Sequence, residues 1–182
     1  MSDPRIYIAG PDIYHPQSLE IAETKKNICE RYGLEGVVAT DFLAGVQFVG
    51  KAADAAPLFR ERLKNIQGCD ALIADMTPFR GPSMDPATAF EMGTMVGLGK
   101  PAVGYTLDST PYADRMARFH AEIDESLMRV GPRLVGPNGY TIEDFTLPEA
   151  VTIAGAALSR GTPIAQDFEA AVRWVRRVAL AS

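Results

Sequence analysis

CDALIADMTPFRGPSMDPATAFEMGTMVGLGKP, residues 69–101, predicts a buried strand, a polar loop and an apolar helix in succession. The strand is the short apolar run ALIA at 71–74, which is typical of a parallel strand covered on both faces of a sheet. Asp85 is a good helix N-cap, Pro86 suits the first helical position, and Gly99 begins a stop signal. This succession of elements indicates an α/β protein.

Glu91 is the only charged side chain between Pro86 and Gly99. The other residues of this predicted helix leave no continuous polar face, so we expect the helix to be mostly buried. A buried carboxylate costs free energy unless a partner pairs with it or a reaction uses it. Two interpretations follow: Glu91 serves a functional site, or it lies on a narrow exposed strip beside Thr88 or Thr94 and has no role.

Two further carboxylates flank the polar loop. Asp75 follows the predicted strand, and Asp85 begins the predicted helix. In open α/β sheets, ligands bind in the crevice at the carboxyl ends of the strands. We therefore predict that Asp75, Asp85 and Glu91 converge on one crevice.

Strands alternate with helices along the chain, which predicts a single α/β domain over residues 1–182. The pattern favours a flavodoxin-like, doubly wound parallel sheet with helices on both faces. The segment 43–57 has no clear period and is interpreted as a lid or subunit-contact loop. The predicted strands are 5–9, 37–39, 71–74 and 101–106, the predicted helices are 17–32, 58–68, 86–99, 112–130, 148–160 and 166–180, and 131–141 is a predicted loop.

The composition is that of an ordinary globular protein, with 47% of the 182 residues hydrophobic and 23% charged. The net charge of -5 argues against a nucleic-acid-binding surface. No apolar run approaches the ~20 residues of a membrane span, and the first residues lack a secretory signal, so we expect a cytoplasmic protein without membrane contact. Cys29 and Cys69 lack metal-site spacing and are interpreted as reduced core thiols, and no metal is expected. The phosphate-binding patterns GxGxxG and GxxxxGK[ST] are absent.

Tyr7 and His15 are further candidates near the first strand. Tyr7 alternates with Ile6 and Ile8, so its hydroxyl either points toward the crevice or belongs to a core aromatic with a satisfied OH. His15 follows a sharp Gly-Pro break and is interpreted as a surface histidine rather than a general base.

Three segments in order carry a resemblance to a known family. They are YIAGPDIYHP at 7–16, CDALIADMTPFRGPSMDPATAFEMG at 69–93 and GKPAVGYT at 99–106, and the match resumes with GYTIEDFTLP at 139–148. With these motifs the chain resembles the nucleoside 2-deoxyribosyltransferase family. Their order and spacing make the resemblance specific.

The resemblance implies that Glu91 is a nucleophile, that Tyr7 is hydrogen-bonded to it, and that Asp85 handles the nucleobase. It implies a flavodoxin-like fold, no cofactor, a role in nucleotide salvage, and a homo-oligomer in which a neighbouring subunit completes each site. Phe79 can equally be a core side chain, and Arg80 can equally be the structural partner of a carboxylate. The residues implied to border the substrate are Gly10, Asp12, Tyr14, Asp75, Phe79, Arg80, Gly81 and Met84.

The chain departs from the family pattern at three places. Ala87 stands where the pattern has glycine, which narrows the space beside the helix start. Arg62 stands where many relatives have Asp or Asn near the base. Ala150 and Thr152 stand where many members have Asn and Met that reach into the neighbouring site, and this puts transferase activity specifically in doubt.

Three functions remain open from the sequence. The first is base exchange between 2′-deoxynucleosides through a covalent deoxyribosyl-glutamate with retention. The second is an N-glycosidase on the same scaffold, with water in place of the acceptor base. The third is a nucleoside-binding protein without catalysis. The turn GPDIYHP at 10–16 lacks a Ser/Arg/Gly-rich phosphate nest, which favours a nucleoside over a 5′-monophosphate.

Overall fold

The computed structural model describes residues 2–42, 50–123 and 126–179. A four-stranded parallel sheet forms its centre, with the order β2-β1-β3-β4. This order is that of the flavodoxin-like sheet, and the predicted fold class is confirmed. The strands are β1 (Arg5–Ala9), β2 (Glu35–Val38), β3 (Ala71–Asp75) and β4 (Ala102–Tyr105).

A short segment around Ala165 extends the sheet beyond β4. Ala165 donates its backbone N–H to the Gly104 carbonyl at 2.9 Å and accepts the Thr106 N–H at 3.0 Å. This isolated parallel bridge occupies the position of a fifth strand.

Helices cover both faces of the sheet, because successive strand side chains point to opposite sides. The helices are α1 (Ser18–Arg31), α2 (Ala52–Gln67), α3 (Pro86–Gly97), α4 (Tyr112–Glu122), α5 (Val151–Leu158) and α6 (Phe168–Ala179). Ile6, Ile8 and Ile73 pack against α1 and α6 in one core. Tyr7 and Leu72 belong to a second core, to which α2, α3 and α5 contribute. No helix in the described ranges is both long and apolar enough to cross a membrane.

The helix predicted at 58–68 starts earlier than expected. α2 begins at Ala52 and includes Pro57, so the predicted loop 43–57 is wrong over its second half. The Lys51 N–H donates to the Asp54 carboxylate at 2.8 Å, and this cap, together with the alanines at 52–56, supports the first turn despite the proline. Residues 43–49, which carry the rest of that prediction, lie outside the described residues.

The helix predicted at 112–130 is also wrong at 123 and at 126–130, and its residues 124–125 lie outside the described residues. α4 ends at Glu122, and the chain then forms a small antiparallel sheet in the order β5-β6-β7. Gly131 has a φ of +61°, which allows the tight turn between the first two of these strands. The apolar residues at 116, 119, 123 and 127 mimic a helical period across this boundary. The strands are β5 (Met128–Val130), β6 (Arg133–Val135) and β7 (Thr141–Ile142), so the predicted loop 131–141 is wrong at 133–135 and at 141.

Candidate active site

Glu91 is a buried carboxylate at the centre of a cleft. Its exposed fraction is 4%, which excludes the alternative of an exposed polar strip. Its Oε1 atom accepts a hydrogen bond from the Tyr7 hydroxyl at 2.9 Å. The Nη1 atom of Arg62 lies 3.3 Å from the same oxygen. One carboxylate oxygen is therefore held by a neutral donor from β1 and a cation from α2.

The Oε2 atom of Glu91 accepts no hydrogen bond from any described residue. Every fully buried side-chain N or O atom in the described part of the chain has a hydrogen-bond partner. The Oε2 atom is therefore not fully buried. Glu91 itself lines the cleft. The geometry thus leaves Oε2 as the oxygen available to react.

Burial raises the pKa of Glu91 to about 7, because a charged carboxylate loses its hydration there. The Arg62 charge and the Tyr7 hydrogen bond lower this pKa, while the nearby Asp85 raises it. Burial and the charge of Glu91 raise the pKa of Tyr7, so its hydroxyl stays protonated and keeps donating. Near neutral pH, Glu91 is therefore poised between its neutral and ionised forms.

Asp85 lies beside Glu91 at the N-terminus of α3, as the sequence predicts. Its Oδ2 atom accepts the Thr88 N–H at 2.9 Å and the Thr88 hydroxyl at 2.8 Å. Capping thus orients the carboxylate, and its Oδ1 atom accepts no hydrogen bond from the described residues. The cleft is lined by Tyr7, Ile8, Gly10, Ile13, Tyr14, Ala39, Arg62, Asp85, Ala87, Thr88 and Glu91.

Arg62 and Ala87 are the two family departures that line the cleft. The sequence marked Arg62 as a departure but did not predict its ion pair with Glu91. No local sequence pattern predicts this pairing, because the two residues belong to different helices, α2 and α3. Ala150, the third departure, donates its N–H to the Glu149 carboxylate at 2.8 Å.

Two aromatic rings and a guanidinium stack beside the cleft. The rings of Tyr14 and Phe79 are 5.8 Å apart at an angle of 13°. The Cζ atom of Arg80 lies 5.0 Å from the Tyr14 ring and 4.7 Å from the Phe79 ring. Phe79 is half-buried in this stack and is not a core side chain. Arg80 has a φ of +57°, a strained backbone conformation for a residue with a Cβ atom.

Asp75 lies on the other side of the sheet from Glu91. It accepts a hydrogen bond from the Tyr105 hydroxyl at 2.7 Å and one from the Thr77 N–H at 2.9 Å. The structure therefore brings Asp85 and Glu91 into one cleft but not Asp75, which follows Ile73 on the face covered by α1 and α6. Its contact with a substrate stays a prediction.

Asp12 belongs to the same polar cluster as Asp75. Lys25 from α1 binds the Asp12 carboxylate and donates to the Tyr105 hydroxyl at 2.8 Å. The cluster ties the turn after β1 to the end of β4. Gly10, which lines the cleft, packs against Asp75. A Cβ atom added to Gly10 would lie 3.1 Å from the Asp75 Cβ atom. Asp12 thus supports the turn that carries Gly10 and Tyr14.

Glu149 is a buried residue that the sequence reasoning missed. It accepts the Ser83 hydroxyl and the Met84 N–H, both at 2.8 Å, and is 1% exposed. Arg115, also buried, places its Nη2 atom 3.6 Å from Glu149 and donates to the Pro82 carbonyl at 2.8 Å. This pair fixes the loop before Asp85. Its signal in the sequence is a lone acid directly before the apolar helix α5.

The remaining predicted residues lie in that loop. Met84 is buried and packs in the core beneath the cleft, whereas Gly81 is exposed. No group of three or more His, Cys, Asp or Glu side chains within the described ranges could hold a metal ion.

Comparison with known proteins identifies the relatives of this chain. The family model for nucleoside 2-deoxyribosyltransferase matches residues 6–151. An uncharacterised protein of Schizosaccharomyces pombe, C191.05c, is 30% identical over 143 residues, which cover 78% of this chain and 67% of that protein.

Among solved structures, a 2-desoxiribosyltransferase from Leishmania mexicana matches with a TM-score of 0.68 and 27% identity, over 96% of this chain and 97% of that one. A conserved protein from Enterococcus faecalis V583 has a TM-score of 0.58 at 16% identity, over 96% and 98% of the two chains, and supports the fold alone.

Proposed function

Because this chain belongs to the nucleoside 2-deoxyribosyltransferase family, we propose that it exchanges the nucleobase of 2′-deoxynucleosides in the cleft around Glu91. The observation that carries the proposal is the state of Glu91, which is 4% exposed and held at Oε1 by Tyr7 and Arg62, while its Oε2 atom accepts no hydrogen bond from the described residues. The solved 2-desoxiribosyltransferase from Leishmania mexicana supports a transferase on this fold.

The proposed reaction has two steps at the anomeric carbon. The Oε2 atom of Glu91 attacks C1′ as the bond to the base breaks, which gives a covalent deoxyribosyl-enzyme. A second base then attacks C1′ from the face that the first base left. The C1′–Oε2 bond breaks, the ring N–H proton of the base passes to water, and the two inversions give net retention. Tyr7 supports the step because its hydrogen bond favours the ionised form of Glu91.

Asp85 is the proposed contact of the nucleobase. Its Oδ2 atom is held by Thr88, and its Oδ1 atom can accept a ring N–H of the base. Tyr14, stacked on Phe79 at the edge of the cleft, offers an aromatic surface for the base. Gly10 has no side chain, so the turn after β1 can pack closely against Asp75 beside this surface. The chemistry requires no cofactor.

The family membership also supports a homo-oligomer with shared active sites. Phe59 and Phe90 are 47% and 55% exposed, and their rings meet edge to face at 5.9 Å. They belong to α2 and α3, the helices that carry Arg62 and Glu91. Adjacent exposed aromatic side chains are typical of protein interfaces. Sedimentation velocity measures the oligomeric state directly.

Incubation with deoxyinosine, with and without free adenine, tests the function. Deoxyadenosine formed only when both are present supports the transferase. Hypoxanthine released without an acceptor base would instead indicate an N-glycosidase. Binding of deoxyinosine without either product would indicate a nucleoside-binding protein without catalysis.

The Glu91→Ala variant should lose either activity while its circular dichroism spectrum stays unchanged. Glu122→Gln removes an exposed carboxylate from α4 and should keep the activity. Unchanged turnover in Glu91→Ala would refute the assignment of the nucleophile.

A further inference from the structure

Arg62 is the one cationic side chain that lines the cleft within the described part of the chain. Its Nη1 atom faces Glu91 Oε1 at 3.3 Å, and its side chain is 23% exposed. Among the described residues, the guanidinium of Arg62 makes one polar contact, the ion pair with Glu91. A guanidinium carries five N–H donors in a planar fork, so donors remain for a second anion in the cleft.

The proposed chemistry moves a negative charge within reach of this fork. Before reaction the charge is on the Glu91 carboxylate, which Arg62 neutralises. When Oε2 bonds to C1′, Glu91 becomes a neutral ester and Arg62 loses its counter-ion. A cation left alone in a half-buried cleft favours whatever new anion appears beside it.

We propose that Arg62 stabilises the departing nucleobase as an anion, and this inference rests on the proposed function. The bond that forms joins Glu91 Oε2 to C1′, and the bond that breaks joins C1′ to the base nitrogen. The electron pair of the broken bond stays on the base, whose charge replaces that of Glu91 beside Arg62. The base takes a proton from water after it leaves the cleft.

The hydrogen bonds of the other cleft residues support this route. Asp85 accepts two hydrogen bonds from Thr88 at Oδ2, and its Oδ1 atom is the proposed acceptor of a ring N–H of the base. Tyr7 already donates its hydroxyl proton to Glu91. In these proposed roles neither group gives a proton to the base, so charge stabilisation by Arg62 carries that part of the reaction.

A preference among substrates follows from this role. A departing base that spreads its charge onto an exocyclic oxygen offers a strong acceptor to a guanidinium. Hypoxanthine, guanine, uracil and thymine carry such oxygens, whereas adenine carries an exocyclic amino group. We therefore expect 2′-deoxynucleosides of oxo bases to be the preferred donors over those of adenine.

The test compares Arg62→Gln and Arg62→Lys with wild type on the deoxynucleosides of oxo bases, such as deoxyinosine and thymidine, and on deoxyadenosine. Arg60→Gln is the matched control, because it removes an exposed charge from the same helix. The assays run at about pH 9, where Glu91 is ionised in wild type and any change in its ionisation has least effect. Circular dichroism and thermal unfolding verify that each variant is folded.

In Arg62→Gln, kcat/KM should fall by about 100- to 1,000-fold for the oxo bases, on the order of the effect of losing one oxyanion donor, and by only about 10-fold for adenine. Arg62→Lys should recover part of the loss, and Arg60→Gln should match wild type. An equal loss for every base would overturn the proposal, because Arg62 would then act on Glu91 alone.

Binding of free hypoxanthine separates this inference from the proposed function. Calorimetry on wild type and Arg62→Gln across the ionisation of hypoxanthine should show that the anion binds tighter only when Arg62 is present. If wild type turns over no deoxynucleoside, the proposed function fails, yet this measurement still supports or overturns an anion contact at Arg62. An anion preference that is identical in the two proteins would overturn it.

Discussion

Replacing Tyr7 with phenylalanine removes one hydrogen bond from the candidate nucleophile and keeps the buried ring. The lost bond is the 2.9 Å contact from the Tyr7 hydroxyl to Glu91 Oε1. A hydrogen bond to a charged group contributes about 1.5–3 kcal/mol. Since one pH unit corresponds to about 1.4 kcal/mol, the pKa of Glu91 should rise by about one to two pH units.

The activity of Tyr7→Phe should be lower near neutral pH, because the ionised form of Glu91 is the reactive one. The pKa of Glu91 is about 7 in the wild type, so about half of the protein is ionised at pH 7. In Tyr7→Phe, about 1–10% should be ionised at that pH, and kcat/KM should be roughly 5- to 50-fold lower. Above about pH 9 the activity should recover to within a few-fold of wild type.

The assay is the pH profile of kcat/KM for base exchange. Tyr32→Phe is the matched control, because it removes a hydroxyl that donates to Glu169 at 2.8 Å, away from the cleft. Its profile should coincide with that of the wild type. If Tyr7→Phe loses activity by one factor at every pH, or if its acidic limb does not move, the hydrogen bond does not control the ionisation of Glu91 and the reasoning fails.

Two further predictions concern stability. The pKa of Glu91 rises from 4.5 to about 7 on folding, so its ionisation lowers stability as the pH increases through that range, by up to about 3 kcal/mol. Glu91→Gln should therefore be more stable than wild type to urea at pH 8 and equal to it at pH 4, and an equal difference at both pH values would contradict this. Glu149→Gln leaves the buried Arg115 without its counter-ion and should lower the free energy of unfolding by about 3–5 kcal/mol. Asp144→Asn, in an exposed pair, should change the free energy by less than about 1 kcal/mol, and an effect of Glu149→Gln as small as this would refute a supporting role.

Sequence patterns alone predict the central elements and the most informative residue of the cleft. Apolar runs without alternation mark β3 as a doubly covered strand, and the Asp-Pro pair marks the start of α3. Glu91 stands out because it is the lone charge in an apolar helix. These features are local, since burial and capping are written into neighbouring positions along the chain.

The sequence reasoning failed where local patterns allow two structures. The spacing of apolar residues continues past Glu122, although the chain leaves the helix there and forms β5 and β6 around Gly131. The helix α2 likewise begins ahead of its apolar stripe, in residues that are exposed. The spacing of apolar residues reflects which positions are buried, so it does not predict the ends of a helix in a segment that is mostly exposed.

Which side chains meet depends on how the helices pack on the sheet. Arg62 and Glu91 are far apart in sequence and come within 3.3 Å because α2 and α3 pack on the same face of the sheet. Asp75 is close to Asp85 in sequence, yet the alternation of β3 turns it to the other face, toward Tyr105. Local pattern determines whether a group is buried, but the packing of elements determines its partner. In this protein burial raises the pKa of Glu91, and its partners Arg62 and Tyr7 lower it.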